Sequence, residues 1–168
     1  MRDILLIGYI AEETALNTIS EKKDILLNYL SNRFIKEAEA VFREDLSKDI
    51  KALIENDSLL QIGKYGIFGA LWDLAQSAGC GIKVDINDII IRQETVEILD
   101  LLDINPYVTD SKGSYLLLAE NGYAIERQLK ESGIAAKVIG VETAGNDRIV
   151  VNGEETRYLT PTSRSSYF

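Results

Sequence analysis

Gly66-Ile67-Phe68-Gly69-Ala70-Leu71-Trp72-Asp73-Leu74-Ala75-Gln76-Ser77-Ala78-Gly79-Cys80-Gly81, running on into Ile82-Lys83-Val84-Asp85, is the stretch on which the fold turns. Apolar residues at 67, 68, 71, 74, 75 and 78 recur at helical spacing, so this is a helix with one buried face. It starts at one glycine and stops at another, where a left-handed C-cap is expected. Gly69 and Ala70 carry almost no side chain, so another backbone or a ligand has room to approach there. The alternation of Ile82, Val84 and Ile86 against Lys83 and Asp85 then reads as a strand over 81–86. A helix that feeds directly into a strand places the chain among mixed folds of sheet and helix.

Upstream, 58–62 reads as a short strand leading into Gly63-Lys64-Tyr65-Gly66. Strand, glycine loop and helix N-terminus together can bind an anion, because free N–H groups and the helix dipole point the same way. Lys64 adds a positive charge. The spacing matches neither a Walker A loop nor G-x-G-x-x-G, and a tight turn is the favoured reading. Further upstream, residues 3–9 form a buried strand and 12–19 a helix. Glu12 and Glu13 lie in the first turn of that helix, where the dipole favours acids; adjacent carboxylates can also hold Mg²⁺, but neighbouring helix positions point about 100° apart, which favours the dipole reading. A second helix is expected from Ser20 to Leu30, a third over 32–44, and a fourth over 46–54 with Ile50, Leu53 and Ile54 inward. Charged residues on these helices are expected to face solvent. Asn56-Asp57 reads as a turn.

Downstream, 93–102 reads as a helix with Val96, Leu99 and Leu102 inward, and Asn105-Pro106 ends that unit. The loop from Thr109 through Ser111, Lys112, Gly113 and Ser114 leads into a strand over 115–119. It either makes a turn or lines a ligand site. A helix over 123–132 stopped by Gly133, a strand over 135–141 and a strand over 148–151 follow. Asn152-Gly153 signals a type I′ hairpin. The polar tail, 160–168, is expected to fray. Interleaved helices and strands with a terminal hairpin define an α/β (α+β) class, a mixed β-sheet flanked by helices.

The chain has 168 residues, 46% of them hydrophobic and 27% charged, which suits one globular domain or one half of a two-domain protein. No histidine is present, which removes His-based general acid–base chemistry, Ser-His-Asp and Cys-His nucleophiles and His-ligated metals. The single cysteine, Cys80, excludes an internal disulfide and reads as a small apolar residue. A net charge of −9 opposes nucleic-acid binding. The apolar run 4–7 is too short for a signal peptide or a membrane span, so a cytoplasmic location is expected.

The ordered set Gly66-Ile-Phe-Gly-Ala-Leu-Trp-Asp, Gly81-Ile-Lys-Val-Asp, Arg92-Gln-Glu-Thr-Val-Glu-Ile, Asp103-Ile-Asn-Pro106-Tyr, Ser111-Lys-Gly-Ser-Tyr-Leu and Val138-Ile-Gly140 resembles the C-terminal domain of aminoimidazole ribonucleotide (AIR) synthase-related proteins. Within these it is most similar to the HypE-like branch of hydrogenase expression/formation proteins. The resemblance implies an AIR synthase C-terminal-type fold. It also implies a partner, an N-terminal ATP-binding domain in cis or in trans, or a homodimer. ATP and Mg²⁺ are implied for the full-length family, and no cofactor is expected for this chain alone. The family's His-Asp-x-Thr-x-Gly-Gly becomes Leu60-Gln61-Ile62-Gly63-Lys64-Tyr65-Gly66, and Gln61 cannot supply the charge a carboxylate offers Mg²⁺. The family's Glu-Gly-Thr-Ala becomes Glu12-Glu13-Thr14-Ala15, and no cysteine stands at the C-terminus.

Three readings follow. The chain is a catalytically incomplete C-terminal domain of an ATP-dependent enzyme, a stand-alone binding or regulatory module, or a small independent enzyme. A ligand is expected between two loops, contacting Gln61, Gly63, Lys64, Gly66, Gly69, Ser111, Gly113 and Ser114.

Overall fold

The computed structural model describes residues 1–54, 56 and 58–161. Seven strands form one sheet: β1 (Asp3–Ile7), β2 (Leu60–Gln61), β3 (Gly81–Asp85), β4 (Tyr115–Ala119), β5 (Ala136–Thr143), β6 (Arg148–Asn152) and β7 (Glu155–Tyr158). Their order is β2-β4-β1-β5-β3-β6-β7, antiparallel except for the β3–β6 pair. The mixed sheet expected from the sequence is therefore present.

Six α-helices lie among the described residues: α1 (Glu12–Leu26), α2 (Asn32–Leu46), α3 (Ile50–Leu53), α4 (Gly66–Ala78), α5 (Gln93–Asp100) and α6 (Gly122–Glu131). They cover both faces of the sheet. Ile4 and Leu6 of β1 pack with Ile19, Phe42, Leu71 and Ile98 from α1, α2, α4 and α5. Leu5 and Ile7 point the other way, toward Ile50 and Leu129 of α3 and α6. All four β1 side chains are buried, which is why this strand reads as a continuous apolar run without alternation.

The pivotal helix runs from Gly66 to Ala78 and closes on Gly79 in the left-handed region, φ 65°, as its sequence requires. Gly69 faces not a foreign backbone but the side chain of Tyr65, one turn back. The close backbone approach falls at Gly66 instead, against Tyr107 and Val108. The Arg148 guanidinium lies 4.0 Å from the centre of the Trp72 ring, joining α4 to β6.

Several local expectations shift. The two helices expected on either side of Ser20 are one helix, α1, with non-helical backbone at Lys22. Leu46 closes α2, so α3 shrinks to one turn and Leu53 is exposed. On α5 the inward stripe is Thr95, Ile98 and Leu99, with Val96 turned outward. Both stripes share Leu99, and packing of α5 against α1 selects the one containing Ile98. The β6–β7 hairpin pairs Asn152 with Glu155, so its two-residue loop is Gly153-Glu154. Of these two only Gly153 has positive φ, the type II′ pattern and not type I′. Asp57 of the expected 56–57 turn and residues 162–168 of the expected frayed tail lie outside the described residues.

At the β3–β5 end of the sheet, Glu142 accepts hydrogen bonds from the Arg2 backbone N–H at 2.9 Å and from its Nε and Nη2 at 3.1 Å each. These bonds hold the Glu142 carboxyl down at about 2, against an ordinary 4.5. A lowered folded value stabilises the fold above the unfolded pKa and is lost as pH falls toward 2. Acid unfolding of the native chain should therefore lose stability between about pH 4.5 and 2 more steeply than acid unfolding of Glu142→Gln; superimposable profiles would refute the coupling.

Burial and Glu142 together push the neighbouring Cys80 thiol up. Labelling of Cys80 by Ellman's reagent at pH 8 is expected to run at least ~10-fold slower in the native chain than in urea. Equal rates would mean that the thiol is not shielded.

Candidate functional site

The C-terminal end of β1 meets the N-terminal ends of β4 and β5, and here the chain turns sharply. Gly8 has φ +87° and donates its N–H to Ala135 O at 2.8 Å. Ile10 N–H reaches Ile90 O at 3.1 Å. Ala11, the residue before α1, sits in the left-handed region at φ 63°, unusual for a residue with a side chain. Two buried serines fix this turn: Ser111 Oγ accepts from Ala11 N–H at 2.8 Å, and Ser114 Oγ donates to Tyr9 O at 2.7 Å. Thr14 adds a third tie, with its hydroxyl 3.1 Å from that of Thr109 and 3.0 Å from Asp110 O.

The turn delivers Glu12 to the interior. Its side chain is 2% exposed, although the sequence places it in a first helical turn where an acid ordinarily meets water. Beside it Arg92 Nε and Nη2 grip Asp45 at 2.6 and 3.2 Å, a two-pronged ion pair, and the Arg92 guanidinium covers the Tyr9 ring at 4.3 Å. Asp45 is thus bound within the fold, not solvated as its helix pattern implied.

Glu12 Oε2 has no hydrogen-bond partner, and Arg92 Nε stands 4.0 Å away. Burial first, then a hydrogen bond with Asp45 and the charge on Asp45, push the Glu12 carboxyl up to about 9, so it holds a proton at neutral pH. Tying up a buried acid in this way opposes folding, and such groups concentrate at functional sites. Glu12, Asp45 and Arg92 line a cavity of about 490 Å³, joined at its edge by Lys48, Lys130 and Lys137. That volume suits a small organic molecule.

The two loops expected to hold a ligand are brought together, but by mutual hydrogen bonding. Ile62 N–H donates to Ser114 O at 2.9 Å, and Ser111 N–H to Gly63 O at 3.3 Å. Gln61 Nε2 donates to Lys112 O at 2.7 Å. Lys64 is exposed, its ammonium 5.1 Å from the centre of the Tyr65 ring. Gly66 and Gly69 are buried against Tyr107 and Tyr65, while Gly63 is open. Ser111 and Ser114 are fully buried pins of the β1–α1 turn. Of the eight expected residues, Gly113 alone lines the 490 Å³ cavity, where a Cβ would run into the Leu46 side chain.

The anion-binding reading of the α4 N-terminus fares similarly. Gly66 N–H is taken by Gly63 O at 3.1 Å and Phe68 N–H by Tyr107 O at 3.1 Å. No group of three His, Cys, Asp or Glu able to hold a metal ion lies among the described residues, and Gln61 offers an amide in place of an acid. No described helix is long and apolar enough to cross a membrane.

The sequence signal for the Glu12 site is slight: Glu12 and Arg92 stand inside recognised motifs, but nothing local joins them to Asp45.

The sheet with helices on both faces defines a domain class, and similarity to known proteins settles its family. Residues 5–152 match the family model described as AIR synthase related protein, C-terminal domain, and the chain belongs to that family. It is similar in fold to the hydrogenase maturation protein HypE solved in complex with ATP, at 16% identity and a TM-score of 0.67, over 95% of this chain and 50% of that one. The E. coli HypE structure gives 17% identity and a TM-score of 0.65, over 95% and 49%. Thiamine-monophosphate kinase from Stenotrophomonas maltophilia K279a gives 14% identity and a TM-score of 0.65, over 92% and 50%. The chain therefore spans about half the length of these solved relatives. A search of curated proteins gave no match to it.

Proposed function

We propose that the chain works as the C-terminal, substrate-side domain of an ATP-dependent AIR synthase-related protein of hydrogenase-maturation type, catalytically incomplete by itself. The nucleotide-holding half is supplied in cis or in trans. The supporting observation is one of coverage: 95% of this chain superposes on half of a HypE chain that binds ATP. On this reading the metal and polyphosphate are held by the other half.

A second reading, a stand-alone binding or regulatory module that pairs with its own copy, is favoured by Gln61. That side chain braces Lys112 O where the family's motif places an acid.

Calorimetry with Mg²⁺·ATP and a phosphate-release assay test both readings. The chain alone is expected to show neither saturable binding nor turnover. Adding the isolated N-terminal domain of a HypE-like protein is expected to give a one-to-one complex by light scattering. Turnover by the chain alone would overturn the main reading. A stable homodimer that ignores the added domain would favour the second.

A further inference from the structure

The 490 Å³ cavity pairs a floor and a rim of different chemistry. On the floor, Asp45 is neutralised by Arg92, and Glu12 is buried with Oε2 unpartnered. At the rim stand three lysines. Lys48 Nζ donates to Gly133 O, Lys130 lies 3.5 Å from Glu126, and Lys137 lies 3.9 Å from Asp88. Each ammonium has three N–H donors, so each keeps donors to spare. With Glu12 protonated, the lining carries four cations against Asp45, with Glu126 and Asp88 beside two of the lysines, in a chain whose net charge is −9. Positive charge concentrated against the overall sign selects an anion. Glu12 lines the same space with one carboxyl oxygen buried and orphaned, and such an acceptor selects a hydrogen-bond donor, because leaving it unsatisfied costs free energy until one arrives.

We propose that this cavity binds a small hydroxylated organic anion. Its phosphate or carboxylate head meets Lys48, Lys130 and Lys137, and a hydroxyl beside the head donates to Glu12 Oε2. The site belongs to this chain alone and stands whether or not the chain docks on an ATP-binding half. A ligand of this kind gives the open Glu12 acceptor a partner and covers the rim lysines, and no covalent step is involved.

The test compares three probes on the purified full chain by calorimetry and by amide chemical-shift perturbation: glycerol 3-phosphate, glycerate and methyl phosphate. Methyl phosphate has the charge but no hydroxyl. Glycerol 3-phosphate or glycerate should saturate, and the better of the two names the head group. The hydroxylated probe should bind about 10-fold more tightly than methyl phosphate, as expected for one buried hydrogen bond. Glu12→Leu should erase that difference, whereas Glu12→Gln, whose amide oxygen still accepts, should keep it. Lys48→Met should weaken all three probes about 3- to 10-fold, and it remains informative if Glu12→Leu does not fold. No saturation by any probe up to about 10 mM overturns the site, as does equal binding of methyl phosphate and glycerol 3-phosphate.

Discussion

Glu12→Gln is expected to stabilise the chain at neutral and alkaline pH, although it alters a fully buried side chain. Glu12 is 2% exposed and its carboxyl is raised from 4.5 to about 9. In the unfolded chain the acid ionises near 4.5, while in the folded chain it keeps its proton. Between those values the folded state binds more protons than the unfolded state, so stability falls as pH rises. The full interval from 4.5 to 9 sets a ceiling of roughly 6 kcal/mol at pH 9. Relaxation of α1 and entry of water bring the expected gain of Glu12→Gln to about 2–3 kcal/mol at pH 8. The neutral amide can still donate to Asp45, so packing and the Arg92–Asp45 pair survive. Urea denaturation at several pH values between about 5 and 9 measures this directly. The native chain should lose stability across that range and Glu12→Gln should stay nearly level. A variant less stable than the parent at pH 8, or a flat native profile, would show that Glu12 is an ordinary, well-satisfied acid.

Gly66→Ala is expected to cost at least ~3 kcal/mol, or to prevent folding, despite adding a single methyl group to a good helix-forming position. Gly66 has φ +73°, where an L-residue pays roughly 1–2 kcal/mol in sterics. A Cβ there would lie 2.5 Å from Tyr107 O, 2.7 Å from Val108 Cα and 2.8 Å from Thr109 N, all backbone atoms. A rotamer change cannot relieve contacts with main chain, so the 107–109 segment must shift. With it goes the hydrogen bond from Phe68 N–H to Tyr107 O and the stacking of Phe68 on Tyr107, centroids 5.3 Å apart. Overpacking of this kind adds about 1–3 kcal/mol to the conformational cost. Gly79→Ala is a matched control, because Gly79 has φ +65° but nothing within 4 Å of its would-be Cβ. Thermal unfolding of the two variants separates strain alone from strain plus collision. Equal losses would mean that the 107–109 backbone yields freely.

Features decided by local chemistry are legible in the amino-acid sequence. α4 and its Gly79 cap, β1, β4 and the mixed sheet all follow from apolar spacing and glycine placement. Fold family is legible too, because the ordered motifs from Gly66 to Gly140 are long enough to be specific. Sequence and structure part where two local patterns compete and long-range packing chooses. On α5, Val96 and Ile98 each make a plausible stripe with Leu99, and only the facing α1 settles the rotation. Asn152-Gly153 is a strong hairpin signal, yet the β6–β7 register moves the loop on by one residue.

The Glu12 cavity is illegible for a deeper reason. Its three principal side chains come from α1, the end of α2 and the residue before α5, and each has an innocent local explanation. Glu12 looks like a dipole-stabilised acid, Asp45 like a solvated helix residue and Arg92 like part of a family motif. Only the left-handed turn at Ala11, pinned by Ser111, turns Glu12 inward. Conversely, Ser111 and Ser114, which look like ligand contacts, spend their hydroxyls on that turn, while Gly66 and Gly69 give their small size to Tyr107 and Tyr65.

The two margins of the sheet have a consequence for how the protein behaves in crowded solution. A bare strand edge invites another chain to add to it and, repeated, seeds fibres. Here the β2 margin is two residues long, too short to guide a stable addition. The β7 margin carries Glu155 and Arg157 with every residue exposed, a charged and weakly apolar rail. Growth by strand addition is thereby discouraged at both sides, and a partner is left to engage helical faces or the end of the sheet where the cavity opens. Concentrated solutions should stay free of thioflavin-positive aggregates, and any association should be of finite size.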